Sequence, residues 1–268
     1  MDQIQRRSAW TLAVRDLRDG LTSIHVWPML GWSEIRQRYR RSALGPFWLT
    51  ISTGILVAGM GPLYGRLFGQ EVGTYFPFLA IGFIVWQLIA SLMNDSGQVF
   101  IAAEQYIKQV RMPFTIHVLR MIWRNAIIFA HNFVIVILVL VAFVPAWNWQ
   151  LLMVLPGLVL LLINGIWLAM MLGMLCARFR DIPQIITSIV QVAFFLTPVM
   201  WRKEMLGHYQ WAADVNPLYH LIEIVRAPLL GQSPANLSWM VVAMLTLGGF
   251  AVTMPLFARY RARIAYWI

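Results

Sequence analysis

The chain has 268 residues, of which 60% are hydrophobic and only 12% charged, with a mean hydropathy of +0.67. Such a chain cannot cover its apolar surface as an ordinary soluble enzyme would, and it is too apolar for a disordered segment. Lys and Arg total 21 against 11 acidic residues, a net charge of +10. With this hydropathy the basic excess reads as the cytoplasmic loops of a membrane protein rather than as a nucleic-acid surface. The single Cys176 excludes an intramolecular disulfide.

In chain order, residues 1–45 form a cytoplasmic segment before any span. Trp10, Val14, Leu17 and Leu21 recur at helical spacing, with Arg15, Asp16, Arg18 and Asp19 mostly off that stripe. This predicts an amphipathic helix lying in the membrane interface. No clean apolar core of a cleavable signal peptide is visible, so the first span is expected to act as the insertion signal. A basic segment follows Pro28 and carries Arg38, Tyr39, Arg40 and Arg41. It reads either as a headgroup anchor or as a gate at the cytoplasmic mouth.

Charge-free runs then locate the spans, at 42–65, 72–94, 125–177, 182–201 and 227–258. A bilayer core needs roughly 20 apolar residues as helix, and only helices suit runs this long. The longest run, broken near Pro145-Ala146-Trp147, holds two spans and a turn. Six spans are predicted, at 47–65, 75–94, 121–144, 151–176, 184–201 and 237–257. The fold class expected is an all-α integral membrane protein, with a six-span domain over 46–268.

Two connections carry patterns. In the cytoplasmic loop 95–113, Val99, Ala103, Tyr106 and Val110 form one stripe and Glu104, Lys108 and Arg111 the opposite face. Glu104 and Lys108 are ordered for an i,i+4 pair, and Pro113 ends the element. The external stretch 202–236 contains Asn216, Pro217, Tyr219, Glu223 and Arg226, with Leu218, Leu221, Ile222 and Val225 at helical spacing. An apolar helix there predicts a re-entrant periplasmic hairpin, which is tolerated where protein or a water-filled path lines it. Glu223 and Arg226 would then pair at i,i+3.

Seventeen basic residues fall on one side of this topology and four on the other, which puts both termini in the cytoplasm. The sequence contains no GxxxxGK[ST] loop, HExxH or GxSxG element, and no metal-ligand cluster. Neither catalysis nor a cofactor is indicated. Many of the aromatics, Trp48 among them, fit an interfacial belt. Trp86 lies too deep in the second span for that and is a candidate lining of a conduit.

The run Arg38-Tyr39-Arg40-Arg41-Ser42-Ala43-Leu44-Gly45-Pro46-Phe47-Trp48 resembles the approach to the first span in type 2 ABC exporter permeases for polysaccharides. Arg180-Asp181-Ile182-Pro183-Gln184, Phe194-Phe195-Leu196-Thr197-Pro198-Val199 and Asn216-Pro217-Leu218-Tyr219 before Arg226-Ala227-Pro228-Leu229 resemble the same family, in the same order. The nearest members by pattern are the lipopolysaccharide O-antigen exporters. The resemblance implies a homodimer with a conduit between copies and a separate ABC ATPase subunit that binds ATP and Mg. It implies a lipid-linked polysaccharide substrate in the bacterial inner membrane. Glu104, Tyr106, Lys108 and Arg111 would couple to the ATPase. Arg38, Tyr39, Arg40 and Arg41 would form the cytoplasmic gate and meet the substrate's phosphate headgroup. Trp48, Trp86, Asn216, Pro217, Tyr219, Glu223 and Arg226 would serve the conduit or the periplasmic gate. An exporter of a drug or small lipid shares this topology. A membrane-embedded transferase would want clustered acids or histidines, and a scaffold would not need patterned docking helices.

Overall fold

The computed structural model describes residues 3–40, 47–144 and 148–268, without the side chains of residues 3–8 and 38. Arg41, the rest of the approach to the first span up to Pro46, and the turn at 145–147 lie outside the described residues, as does the Arg38 side chain.

The described residues are helical, with no strand. They form α1 (Gln3–Thr22), α2 (Val26–Tyr39), α3 (Phe47–Leu67), α4 (Val72–Gln98), α5 (Glu104–Gln109) and α6 (Phe114–Phe143). A 3-10 turn at Trp149–Met153 leads into α7 (Val154–Arg178). Then come α8 (Ile182–Leu196), a second 3-10 segment at Lys203–Tyr209, α9 (Trp211–Asp214), α10 (Pro217–Leu229) and α11 (Asn236–Trp267). Five helices are long and apolar enough to cross a membrane: α3, α4, α6, α7 with its preceding turn, and α11. This is a multi-pass membrane protein.

The helix in the fifth predicted span is shorter than the charge-free run. α8 has 15 residues, about 22 Å of helix against a hydrocarbon core of about 30 Å. Thr197 is extended, at φ −98° and ψ 137°, because the following Pro198 crowds a helical conformation. Other helices outrun their predicted spans because they continue through charged residues that apolar counting leaves out. α6 begins at Phe114, so that Arg120 and Arg124 occupy its first turns, and α11 carries Arg259, Arg261 and Arg263 beyond the apolar stretch.

α4 is the axis of the bundle. It packs on α3, α6, α7, α8 and α10, and residues 77–82 and 84–86 are buried without interruption except at Phe83. At one end, called here the near end, α1 and α2 lie against the start of α6, and α1 also against the last turns of α11.

α1 docks through Ala13, Asp16 and Gly20, while Trp10, Val14 and Leu21 of the predicted apolar stripe face outward. Periodicity thus located an outward apolar face, and the protein contact is made by small residues and one acid. Asp16 is buried. Its carboxylate accepts from Phe114 N at 3.1 Å, Thr115 N at 3.0 Å and Thr115 Oγ1 at 2.9 Å. Pro113 gives α6 no side-chain cap of its own, so a residue about a hundred positions away fills the anion site at this helix N-terminus. Arg261 Nε completes the carboxylate's pairing at 2.7 Å.

At the far end, α10 is wedged among α4, α7 and α11, and ten of its residues are buried. Two glycines admit it. A Cβ at Gly157 would stand 2.6 Å from the Ile224 carbonyl oxygen, and one at Gly82 would stand 3.1 Å from Arg226 Nη1. Gly82 lies ten residues into α4, about 15 Å from that helix's far end. Arg226 therefore reaches well into the bundle.

Candidate functional site

Between α3, α4, α6 and α8 the bundle opens a cleft of about 760 Å³. Its walls are aromatic: Phe83, Trp86, Phe129, Phe194 and Phe195. Trp86 and Phe194 have ring centroids 5.6 Å apart, and Phe83 and Phe194 6.2 Å. Its polar lining is almost wholly uncharged, with Ser52, Thr53, Gln87, Ser91, Asn94, Asn125, Asn132 and Gln191 beside the single acid Asp95. Asn132 Nδ2 donates to Gln87 Oε1 at 3.2 Å, Thr50 Oγ1 reaches Asn132 Oδ1 at 3.4 Å, and Thr53 and Gln87 lie 3.5 Å apart.

Gln87 stands about 22 Å from the start of α4, near the middle of a helix about 40 Å long. Polar groups at such depth are costly unless they face one another or a wet path. Long, sharable hydrogen bonds among amides and hydroxyls, flanked by aromatic faces, suit a ligand rich in hydroxyls and C–H surface.

The near end of the cleft closes on charge. Arg124 Nη1 lies 2.6 Å from Glu34 Oε2 and its Nη2 2.7 Å from Asp95 Oδ2. Arg120 Nε lies 2.9 Å from Glu34 Oε1, and Asn125 Nδ2 donates to Asp95 at 2.8 Å. Glu34 thereby ties α2 to α6, and Arg124 ties both to α4. Beside this network, α5 turns an open face outward. Lys108 Nζ donates to Glu104 Oε1 at 2.6 Å, making the predicted i,i+4 pair. That bond and the nearby ammonium hold the Glu104 carboxyl below its usual range. Tyr106 and Arg111 are exposed, and Arg120 sits over the Tyr106 ring at 5.6 Å. Of the residues predicted at the gate, Arg40 is exposed and Tyr39 is half-buried beside Leu49 and His131.

The far-end residues also come together. Asn216 caps α10 by accepting from Leu218 N at 3.0 Å, and Pro217 takes the first helical position, where a missing N–H costs nothing. Asn216 also donates to Thr197 Oγ1 at 3.0 Å, which fastens α10 to the break after α8. Arg226, 2% exposed, gives Nη2 to Glu223 at 2.7 Å and Nη1 to the Pro198 carbonyl at 2.7 Å, and stacks 4.0 Å from the Phe78 ring centre. The i,i+3 pair is therefore present. Tyr219 is buried, with Lys203 Nζ 5.7 Å from its ring centre. Trp48 stands apart from both groups, exposed on α3 outside the cleft lining.

The family model described as "ABC-2 type transporter" matches residues 26–230, from the start of α2 to just past α10. The chain belongs to the ABC-2 type transporter family. It is a transport subunit and not an enzyme, and the ATPase is a separate subunit. This permease is similar to two curated proteins of Klebsiella pneumoniae, each named O-antigen export system permease protein RfbA. The first is 24% identical over 241 residues, covering 85% of this chain and 90% of the relative. The second is 22% identical over 194 residues, covering 70% and 74%.

Several residues that build the permease's interior escaped sequence reasoning: Asp16, Glu34, Gln87, Asp95, Arg120, Arg124 and Asn132. The amides carried a usable signal. Gln87, Ser91 and Asn94 follow i, i+4, i+7 within an apolar helix, and Asn125 and Asn132 are seven apart in another. The ion pairs carried none, since Glu34 and Arg124 are 90 positions apart.

Proposed function

We propose that this permease is the membrane half of an ATP-driven exporter that moves a lipid-linked polysaccharide of O-antigen type across the bacterial inner membrane. The observation that carries this reading is the midspan cleft, whose uncharged amides and aromatic faces fit sugar rings and whose one lining acid, Asp95, is already paired with Arg124. The names of the two relatives support the same cargo.

Two copies of the chain face each other so that their clefts form one conduit. The outward apolar residues of α3 and α8, among them Ile51, Ile55, Ile189 and Phe195, supply the meeting surface. α8, with the residues that follow it, completes a sixth crossing, and the α9–α10 segment is a re-entrant hairpin at the periplasmic exit. The depth of Arg226 beside Gly82 supports that placement. Both termini lie in the cytoplasm. The basic excess at the near end supports this, and the Asp16–Arg261 pair holds both terminal segments at one end. α1 lies in the interface with Trp10, Val14 and Leu21 toward lipid. Arg38, Arg40 and Arg41 meet the substrate's phosphate, for which guanidinium is well shaped.

The ATPase subunit binds ATP and Mg and docks on α5 through Glu104, Tyr106, Lys108 and Arg111. Its closure pushes α5 against the Arg120–Glu34–Arg124 network, the two copies rock, and the conduit opens outward. Reconstitution of both subunits in vesicles tests this. ATP-dependent movement of lipid-linked glycan, lost when Glu104, Lys108 and Arg111 are reversed in charge, is the expected result. No such movement with an active, bound ATPase would overturn the proposal.

A further inference from the structure

A second cavity, of about 420 Å³, lies at the far end between α4, the end of α6, the segment after α8, and α10. Three cations line it, Arg202, Lys203 and Arg226, with two carboxylates, Glu204 and Glu223. Two of the cations are already committed, Arg226 to Glu223 and Lys203 to Asp214. Arg202 differs. Among the described residues it forms no ion pair with a carboxylate. Its Nη2 donates to the Thr74 carbonyl at 3.2 Å, and its guanidinium lies 5.0 Å from the Phe78 ring centre, on a ring that Arg226 also uses. Its Nε is buried without a hydrogen-bond partner. Two guanidinium groups thus share one ring, and Arg202 has no carboxylate within ion-pair distance, since the remaining acid of the lining, Glu204, is exposed and makes no ion pair among the described residues.

The rest of the wall is apolar, with Pro77, Phe78, Phe143, Val144 and Leu230. The α4 residues involved, 73–78, fall within about 10 Å of that helix's end. In a chain that spans a bilayer, this is the level where headgroups meet acyl chains. The geometry points to a binding site for the phosphate of a membrane amphiphile, held by the Arg202 guanidinium and the Lys203 ammonium with its chain along Phe78 and Phe143. A phosphodiester brings one negative charge, and an arginine fork donates to two of its oxygens. The source is a resident phospholipid or the phosphate of a polyprenyl carrier, which share this chemistry. The site does not depend on what the permease transports, because its measure is binding.

The test uses the permease with its ATPase subunit, stripped of lipid in mild detergent and titrated with phosphatidylglycerol while native mass spectrometry counts bound molecules. A diacylglycerol with the same acyl chains is the phosphate-free control. The expected result is one phosphatidylglycerol held per permease and no comparable binding of diacylglycerol, with affinity about tenfold weaker in Arg202→Gln. If that variant does not fold, Lys203→Gln, at a more open position, is expected to weaken the same binding. Displacement of the bound lipid by polyprenyl pyrophosphate at stoichiometric amounts assigns the site to a carrier, and its failure to displace assigns it to a phospholipid. Either outcome supports phosphate recognition. Equal binding of diacylglycerol, or unchanged phosphatidylglycerol binding in folded variants, would overturn it.

Discussion

At the near end, carboxylates and guanidinium groups meet at 2.6–2.9 Å, and each of Asp16, Glu34, Asp95 and Arg124 is held by more than one partner. In the midspan cleft the polar groups are amides and hydroxyls at 3.2–3.5 Å, each able to let go of its neighbour. The first arrangement fixes helices relative to one another, since breaking a buried ion pair strands a charge. The second leaves each group free to change partners, since a neutral hydrogen bond contributes little once water or a ligand can replace it. Polarity in this bundle therefore divides into a fastening kind and a handling kind.

The largest effect is expected where fastening is removed from both sides of one cation. The double change Glu34→Gln with Asp95→Asn leaves Arg124 without a carboxylate and should destabilise the protein by about 3 kcal/mol. Thermal unfolding in detergent reads this, and an unchanged midpoint would dissolve the contrast drawn above. Asp16→Asn should cost about 2 kcal/mol, by weakening the cap on α6 and the bond to Arg261. Hydrogen exchange should show α1 and the first turn of α6 opening together, while α7 and α8 stay protected.

In the cleft the expectation reverses. Gln87→Leu or Asn132→Leu should change stability by less than about 1 kcal/mol. Glycan transport with the ATPase present should fall steeply. A large loss of stability would place these amides with the fasteners. The smallest structural effect belongs to α5, where Lys108→Glu should leave the unfolding midpoint in place and abolish ATPase binding, read by copurification. pH sharpens this case. The Glu104 carboxyl is lowered by its bond to Lys108, so the pair's contribution is present at neutral pH and lost as pH falls through that lowered value.

Much of the helical layout was legible in the sequence, because a charge-free run of span length has few other readings. The pair Glu104–Lys108 and the capped helix from Pro217 were legible for a similar reason, since both are set by neighbours within one turn. The shortness of α8 was written in Thr197-Pro198, a local signal that apolar counting overrides. What stayed hidden depends on tertiary placement. Asp16 looked like part of a polar face, and only the approach of α6 and α11 makes it a buried cap. Asp95 opens the predicted cytoplasmic loop and Glu34 falls in the basic segment after Pro28, and nothing local joins either to Arg124. Depth within the span already set Trp86 apart from the belt residue Trp48, although the resemblance put both at the conduit or gate. Trp48 stands on an outward face of α3 and Trp86 is enclosed beside Phe194.

The Asp16 carboxylate also sets an order of assembly. It belongs to α1, yet its partners are Phe114 and Thr115, and then Arg261, 245 positions later. During synthesis α1 has nowhere to dock until α6 is in place, and its seat is complete only when α11 has been delivered. A helix made before α6 and α11 thus settles only after them. A chain truncated before residue 261 would present a loosened α1, a visible mark of an unfinished subunit to any protease that surveys the membrane.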